Sequence, residues 1–406
     1  MVMGIKEESH LLPVRGIRLA ACSAGIYKKK RSDLALIAAD PGSKISALFT
    51  QNAFCAAPVT IAREHLEKCE PQYLLINAGN ANAGMGKRGY EDGLNTCKAL
   101  ANILDSNQEN VLPFSTGVIG EPMPVEKICH ALPGLVDSLS EDSWRQVSKA
   151  ILTTDTVTKG ISRVLVVGDS KITITGIAKG SGMIRPDMAT MLAFIGTDAS
   201  IKKNVMQEML TYAVEQSFNC ISVDGDTSTN DACVLIASGK ADLPEINNLD
   251  CETGQKFRNA LTEVCVYLAK AIVRDGEGAT KFVTLNINGG SNREECLAVA
   301  TAIAHSPLIK TALFASDPNW GRILAAIGRS GVADFNVNKV SIFIEDTCIV
   351  ENGERAPQYS EDKGKEAFKN NEILIRIYLN RGDFNLQFWT CDLSYDYVKI
   401  NAEYRT

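Results

Sequence analysis

Several short stretches of the chain are almost wholly apolar: LALIAA at 34–39, YLLINA at 73–78 and MLAFI at 191–195. Runs of this kind, bounded by turn residues, belong to sheets covered on one or both faces. Between them lie helical patterns, GLNTCKALANIL at 93–104, an amphipathic stretch near 201–216, and a stripe of Phe257, Leu261, Val264, Cys265, Leu268 and Ile272. The alternation predicts a mixed α/β protein and leaves several α/β layerings open.

MLAFI has a second property. It begins directly after Thr190, and the chain reaches that threonine through the glycine-rich KGSGMIRPDMA. A threonine at the mouth of a buried strand, just after a turn, is where a chain can present a nucleophile. Threonine is also an ordinary strand former, and periodicity does not separate the two readings. Upstream, SRVLVVG and ITITGIA around GDSK predict a β-hairpin that delivers the chain into Lys179.

Composition narrows the chemistry. The 406 residues fit two or three domains, and 45% apolar with 22% charged residues is the balance of a protein with large cores. A net charge of −6, with both signs interspersed, argues against nucleic acid or an anionic membrane as partner. No apolar run approaches a membrane span and the first residues lack a signal-like apolar core, so a cytoplasmic protein is expected. The 12 cysteines stand singly without metal-ligand spacing, which predicts reduced thiols and no metal site. Only four histidines exist, His10, His65, His130 and His305, and none lies beside a nucleophile or ligand cluster. Histidine-based catalysis is thereby disfavoured, and neither a G-x-S-x-G elbow nor a phosphate-binding P-loop occurs.

Other loops are less decisive. NAGNANAGMG (77–86) and PFSTGVIGEPMP (113–124) are rich in small residues that let backbone approach a ligand, and Glu121 reads as the opening of a helix. SVDGDTSTND (222–231) reads as a solvated turn, because Thr229 stands where a calcium loop needs glycine. Glu277 in DGEG is either a capping-turn residue or a carboxylate held over a site. Strands are expected at 340–345, 373–379 and 384–390, the last two joined as a hairpin by NRGD, and YDYVKINAEYRT reads as a strand with a polar tail.

Six separated motifs then share an order: STGVIGE, LTTDT, GSGMIRPDMATMLAFIGTDA, DGEGATK, DPNWGR and the terminal YVKINAEYRT. Together, from about residue 12 to the last, they resemble the ornithine acetyltransferase family, the glutamate N-acetyltransferases of arginine biosynthesis. The resemblance implies self-cleavage between Ala189 and Thr190 into chains 1–189 and 190–406, two copies of each forming a heterotetramer. Thr190 would be the nucleophile and its new α-amino group, titrating near ~8, the base. Acetyl would pass from N-acetylornithine to Thr190 and then to glutamate, with Thr116 and Gly117 as the oxyanion hole. Lys179, Glu277, Asn401, Thr406 and a threonine of TTDT, Thr156 rather than Thr154, would bind substrate.

The same resemblance implies no cofactor, while the motifs do not tell whether acetyl-CoA is a second donor. It also implies a four-layer helix-sheet-sheet-helix sandwich over 1–281 and a smaller α/β C-terminal domain over 282–406. Leu152 and Thr158 depart from the family pattern beside TTDT without touching the chemistry. Two other readings are an N-terminal-nucleophile amidase or aminopeptidase of related fold, and an uncleaved metabolite-binding protein with Thr190 in its core.

Overall fold

The computed structural model describes residues 10–27, 31–185 and 191–403. The first half of the chain runs β1 (Ile17–Cys22), β2 (Leu34–Ala39), β3 (Lys44–Phe49), α1 (Ala57–Lys68), β4 (Tyr73–Asn80), α2 (Gly86–Ile103), β5 (Val111–Val118), α3 (Val125–Asp137), α4 (Trp144–Ala150), β6 (Lys159–Val167) and β7 (Ser170–Lys179). There follow β8 (Leu192–Thr197), α5 (Lys203–Glu215), β9 (Ile221–Ser222), β10 (Ala232–Ala237), α6 (Glu252–Arg274) and β11 (Phe282–Gly290). The rest is α7 (Arg293–Ala304), α8 (Pro307–Phe314), α9 (Trp320–Gly328), β12 (Ser341–Ile344), β13 (Thr347–Glu351), β14 (Glu354–Arg355), α10 (Glu361–Phe368), β15 (Glu372–Tyr378), β16 (Phe384–Cys391) and α11 (Tyr395–Ala402).

Among the described residues the strands form three sheets, ordered β1-β2-β4-β5, β3-β10-β8-β7-β6 and β14-β13-β12-β15-β11-β16-β9. The first two share an apolar layer in which Ile37, Ile76 and Phe114 of one meet Leu192, Phe194 and Val234 of the other. Phe114 and Phe194 pack edge to face, their centroids 5.2 Å apart. Successive side chains of β8 alternate between this layer and a second one shared with α5 and α6: Leu192 and Phe194 on one side, Ala193 and Ile195 on the other. That explains why its sequence is apolar without a break. Leu34, Leu36 and Leu75 on the far face of the first sheet lie against Leu100 of α2 and Leu132 of α3.

β6 and β7 pair as the expected hairpin, register running from Lys159↔Ala178 to Val167↔Ser170 around Gly168–Asp169. Other expectations change. NRGD does not close a hairpin, because β11 lies between β15 and β16, parallel to one and antiparallel to the other. Pairing with a strand distant in sequence overrode the local turn signal, and Arg381 in that turn reaches Glu295 at 2.9 Å. The terminal YDYVKINA is a helix: Ser394 Oγ accepts from the Asp396 N–H at 3.2 Å and caps it. α3 starts after both prolines, at Val125, so Glu121 precedes it. The third sheet takes its last strand, β9, from Ile221–Ser222, so strands on both sides of residue 282 build it.

Candidate active site

At one corner of the two facing sheets, the ends of β5 and β7, the loop after α6, and α11 surround a cavity of about 260 Å³. Each wall has a local cause. β5 stays paired with β4 at Gly117, beside an irregularity in register at Gly79–Asn80, and there φ is +134° and an added Cβ would lie 2.3 Å from the Gly79 carbonyl carbon and 2.6 Å from the Asn80 nitrogen. Only glycine permits that approach, and it leaves Thr116 and Gly117 facing the cavity.

Lys179 ends β7 with its side chain inside the protein, the residue only 4% exposed. Its Nζ donates to Thr116 Oγ1 at 3.3 Å. Burial lowers its pKa below the ordinary lysine value, and the charges of Asp155, Asp231 and Glu277 oppose that shift without cancelling it.

Glu277 follows the end of α6 and is 8% exposed. Its N–H donates to the Ser181 carbonyl at 2.9 Å, and its Oε2 accepts from Asn401 Nδ2 at 2.8 Å. Gly182 lies so close that a Cβ there would sit 2.4 Å from the Glu277 carboxylate carbon. Gly278, at φ +68°, lets α11 dock, since a Cβ would come within 2.5 Å of the Tyr397 nitrogen. Glu277 thus lies in the turn after α6 and also presents a fixed carboxylate at the cavity wall.

Five of the expected site residues, Thr116, Gly117, Lys179, Glu277 and Asn401, thus line one cavity although they span most of the chain. Ala189, Thr190 and Thr406 lie outside the described residues. The chain is held on both sides of 186–190, however, by Ile184, whose carbonyl accepts from Val223 N–H, and by Met191, whose carbonyl accepts from Ala232 N–H. Thr156 is placed differently from the expectation. Its backbone N–H and its hydroxyl both bond to the Asp275 carboxylate, and Thr153 and Thr154 take the places on the cavity. Spacing within TTDT does not tell which threonine faces inward, since the turn is set by the buried Asp275.

Two groups escaped sequence reasoning. The loop taken for a solvated turn is buried from Ser228 to Asp231, and Ser228, Thr229 and Asn230 line the cavity. The second is a charged cluster behind the wall. Lys159 Nζ lies 2.6 Å from Asp155 Oδ1 and 2.6 Å from Asp275 Oδ2, all three side chains being inaccessible or nearly so. Asp155 also accepts from the Gly180 and Thr153 N–H groups at 2.7 and 3.0 Å. Burial alone would raise the Asp155 pKa, but the Lys159 and Lys179 ammonium groups hold it well below the usual carboxylate range. Burial likewise works against the Lys159 charge, and its two carboxylates overcome this and raise its pKa. The only sequence signal was that both carboxylates, in TTDT and DGEG, sit in the motifs that carry the resemblance.

A buried cation and a fixed carboxylate facing one small cavity suit a zwitterionic amino acid. Among the described residues no histidine lines the cavity, and no group of His, Cys, Asp or Glu is arranged to hold a metal. All twelve cysteines are free thiols, six of them buried. Among the described residues no single helix is long and apolar enough to cross a membrane.

Residues 18–406 match the ArgJ family. The chain is similar to the arginine biosynthesis bifunctional protein ArgJ of Pseudomonas fluorescens (strain Pf0-1), 52% identical over 406 residues and all of both chains. The ArgJ protein of Methylococcus capsulatus (strain ATCC 33009 / NCIMB 11132 / Bath) is 50% identical over 400 residues, 98% of each chain. A crystal structure of the arginine biosynthesis bifunctional protein ArgJ from Bacillus halodurans is 40% identical, covers 52% of this chain and 97% of its own, and has a TM-score of 0.49. With a family match across most of its length and relatives half identical from end to end, this chain belongs to the ArgJ family.

Proposed function

We propose that this chain is an acetyltransferase of arginine biosynthesis that moves acetyl from N-acetylornithine to glutamate by way of an ester on Thr190. Membership of the ArgJ family supports the activity. The observation that carries the mechanism is the meeting of Thr116, Gly117, Lys179, Glu277 and Asn401 around one small cavity.

In this reading the bond between Ala189 and Thr190 is cut by the protein itself. The freed α-amino group of Thr190 takes the proton from Oγ as Oγ attacks the acetyl carbonyl. Thr116 and Gly117 hold the oxyanion, the ornithine nitrogen leaves with a proton, and the amine of glutamate then attacks the acetyl ester. Lys179 receives a substrate carboxylate, and Glu277, steadied by Asn401, receives an ammonium group. Thr406 is a further substrate contact in this reading, and Thr154 replaces Thr156 as the TTDT contact. No cofactor is required, because every step is an acyl or proton transfer between groups already named. Acetyl-CoA is a second donor in this reading, since its thioester presents the same electrophile.

The layers are those of a helix-sheet-sheet-helix sandwich within 1–281, and the C-terminal α/β unit from 282 borrows one short strand, Ile221–Ser222, from before that boundary. Two copies of each cleaved chain make the assembly, in the cytoplasm. The test is ornithine release from N-acetylornithine with and without glutamate. Release that ignores glutamate would identify a hydrolase of the N-terminal-nucleophile kind. On a denaturing gel the active protein runs as fragments 1–189 and 190–406, and Thr190→Ala stays intact and inactive while Thr190→Ser keeps part of both properties.

A further inference from the structure

The loop between β9 and β10 holds the segment that contains the proposed cleavage point at both its ends. On the upstream side, Asp224 Oδ2 accepts the Met183 N–H at 2.6 Å and Oδ1 accepts the Ile184 N–H at 2.9 Å. The Ile184 carbonyl in turn accepts from the Val223 N–H at 2.9 Å and from Ser222 Oγ at 3.0 Å. Met183 stands at φ +58°, a sparsely populated region for a side chain of its size, and is 37% exposed. Asp224 takes the N–H of this residue and of the next, and so acts as one restraint on that conformation beside the Val223 and Ser222 bonds to the Ile184 carbonyl. On the downstream side the Met191 carbonyl accepts from the Ala232 N–H at 3.1 Å, and from Leu192 onward β8 runs parallel to β10. A single stretch, 222–232, therefore fixes Ile184 and Met191, with residues 185–190 between them.

We propose that Asp224 is a positioning residue for self-cleavage. It sets the upstream anchor of the 185–190 segment against the downstream anchor at Ala232. This rests on the Ala189–Thr190 cleavage proposed above. In that step Thr190 Oγ attacks the Ala189 carbonyl carbon and the C–N bond breaks. The released amine takes the hydroxyl proton, and water then hydrolyses the ester to give the Ala189 carboxylate and the free Thr190 hydroxyl. Such an attack within one chain is fast only when the arrangements open to that chain are few, and fixing both ends reduces them.

The test follows cleavage of freshly translated full-length precursor by denaturing gel and mass spectrometry. Asp224→Ala loses both acceptors and is expected to slow cleavage at least about tenfold, the cost of hydrogen bonds to a charged group. Asp224→Asn keeps one acceptor oxygen and should fall between. Tyr397→Phe removes the hydroxyl 3.4 Å from Asp224 Oδ2, leaves both backbone bonds, and is expected to cleave at the wild-type rate. Melting midpoints of the same variants in a Thr190→Ala background separate loss of folding from loss of positioning. If both Asp224 variants cleave like wild type, or if Tyr397→Phe is as slow as Asp224→Ala, the proposal is overturned; the second result would place the effect in the docking of α11. Wild-type protein that stays intact overturns the cleavage reading and the clamp with it, whereas normal wild-type processing beside unaffected Asp224 variants overturns the clamp alone.

Discussion

Lys159 and Lys179 stand at the same end of one hairpin, Lys159 opposite Ala178 and Lys179 one residue beyond, and both are buried. Their surroundings make them opposites. Lys159 has a carboxylate on either side at 2.6 Å, and its pKa is raised. Lys179, among the described residues, forms no ion pair; its Nζ bonds the Thr116 hydroxyl at 3.3 Å, and its pKa is lowered. A charge whose partners are built into the fold holds the fold together, whereas a charge buried beside a cavity without one is held ready for a partner that arrives.

The largest difference should appear on removing Lys159. Lys159→Ala leaves Asp155 and Asp275 buried without their cation, and breaking such a cluster costs about 3–5 kcal/mol. Denaturant unfolding should show that loss, and the loop holding Glu277 should loosen because Asp275 precedes it by two residues. A loss below about 1 kcal/mol would mean that the cluster is not a stabilising lock. Acid adds a check on the same cluster. Asp155 has a lowered pKa, so its contribution is full above the ordinary aspartate value near ~4 and is lost as pH falls toward the folded-state value.

The contrast between these lysines was only half legible in the sequence. Lys179 could be singled out because a hairpin delivers it to the glycine-rich loop. Lys159 could not, since its partners Asp155 and Asp275 come from four residues and from more than a hundred residues away. The strands and helices of the first two sheets were readable because their apolar periodicity reflects cover on their faces, as β8 shows by alternating between two cores. What failed was decided by distant pairing or by a cap: NRGD, with β11 between its flanking strands, and α11, whose alternating tyrosines imitate a strand. The burial of Ser228–Asp231 escaped for a related reason, because nothing local in a polar loop signals that it will line a cavity.

The next effect in size is at Lys179's hydroxyl partner. Thr116→Val keeps the shape and removes the oxygen; under the oxyanion role proposed for Thr116, loss of one such donor typically lowers kcat about a hundredfold, near 3 kcal/mol of barrier. Steady-state kinetics should show that loss in kcat with the melting midpoint little changed. A variant with normal kcat would take the Thr116 hydroxyl out of the oxyanion hole. Under the carboxylate-binding role proposed for Lys179, Lys179→Met should act elsewhere, raising KM ten- to hundredfold through loss of a charged contact. An unchanged KM would assign that carboxylate to another residue.

The smallest effect is also the one that separates the two lysines most directly, because their pKa values move in opposite directions. Lys159, raised, stabilises fully below the ordinary lysine pKa near ~10.4, and that contribution is lost as pH rises through its folded value. Lys179, lowered, does the reverse. Below its folded pKa the folded protein carries the cost of a buried ammonium that the unfolded chain does not, and the cost fades as pH climbs through the ordinary value, above which both states are neutral. Lys179→Met removes that cost at every pH and keeps the buried stem. It should therefore melt at or above the wild-type midpoint near neutral pH, with the gap closing as pH approaches ~10. A gap that is constant with pH would mean that the Lys179 charge is already compensated in the folded protein, and the two lysines would then differ in place but not in kind.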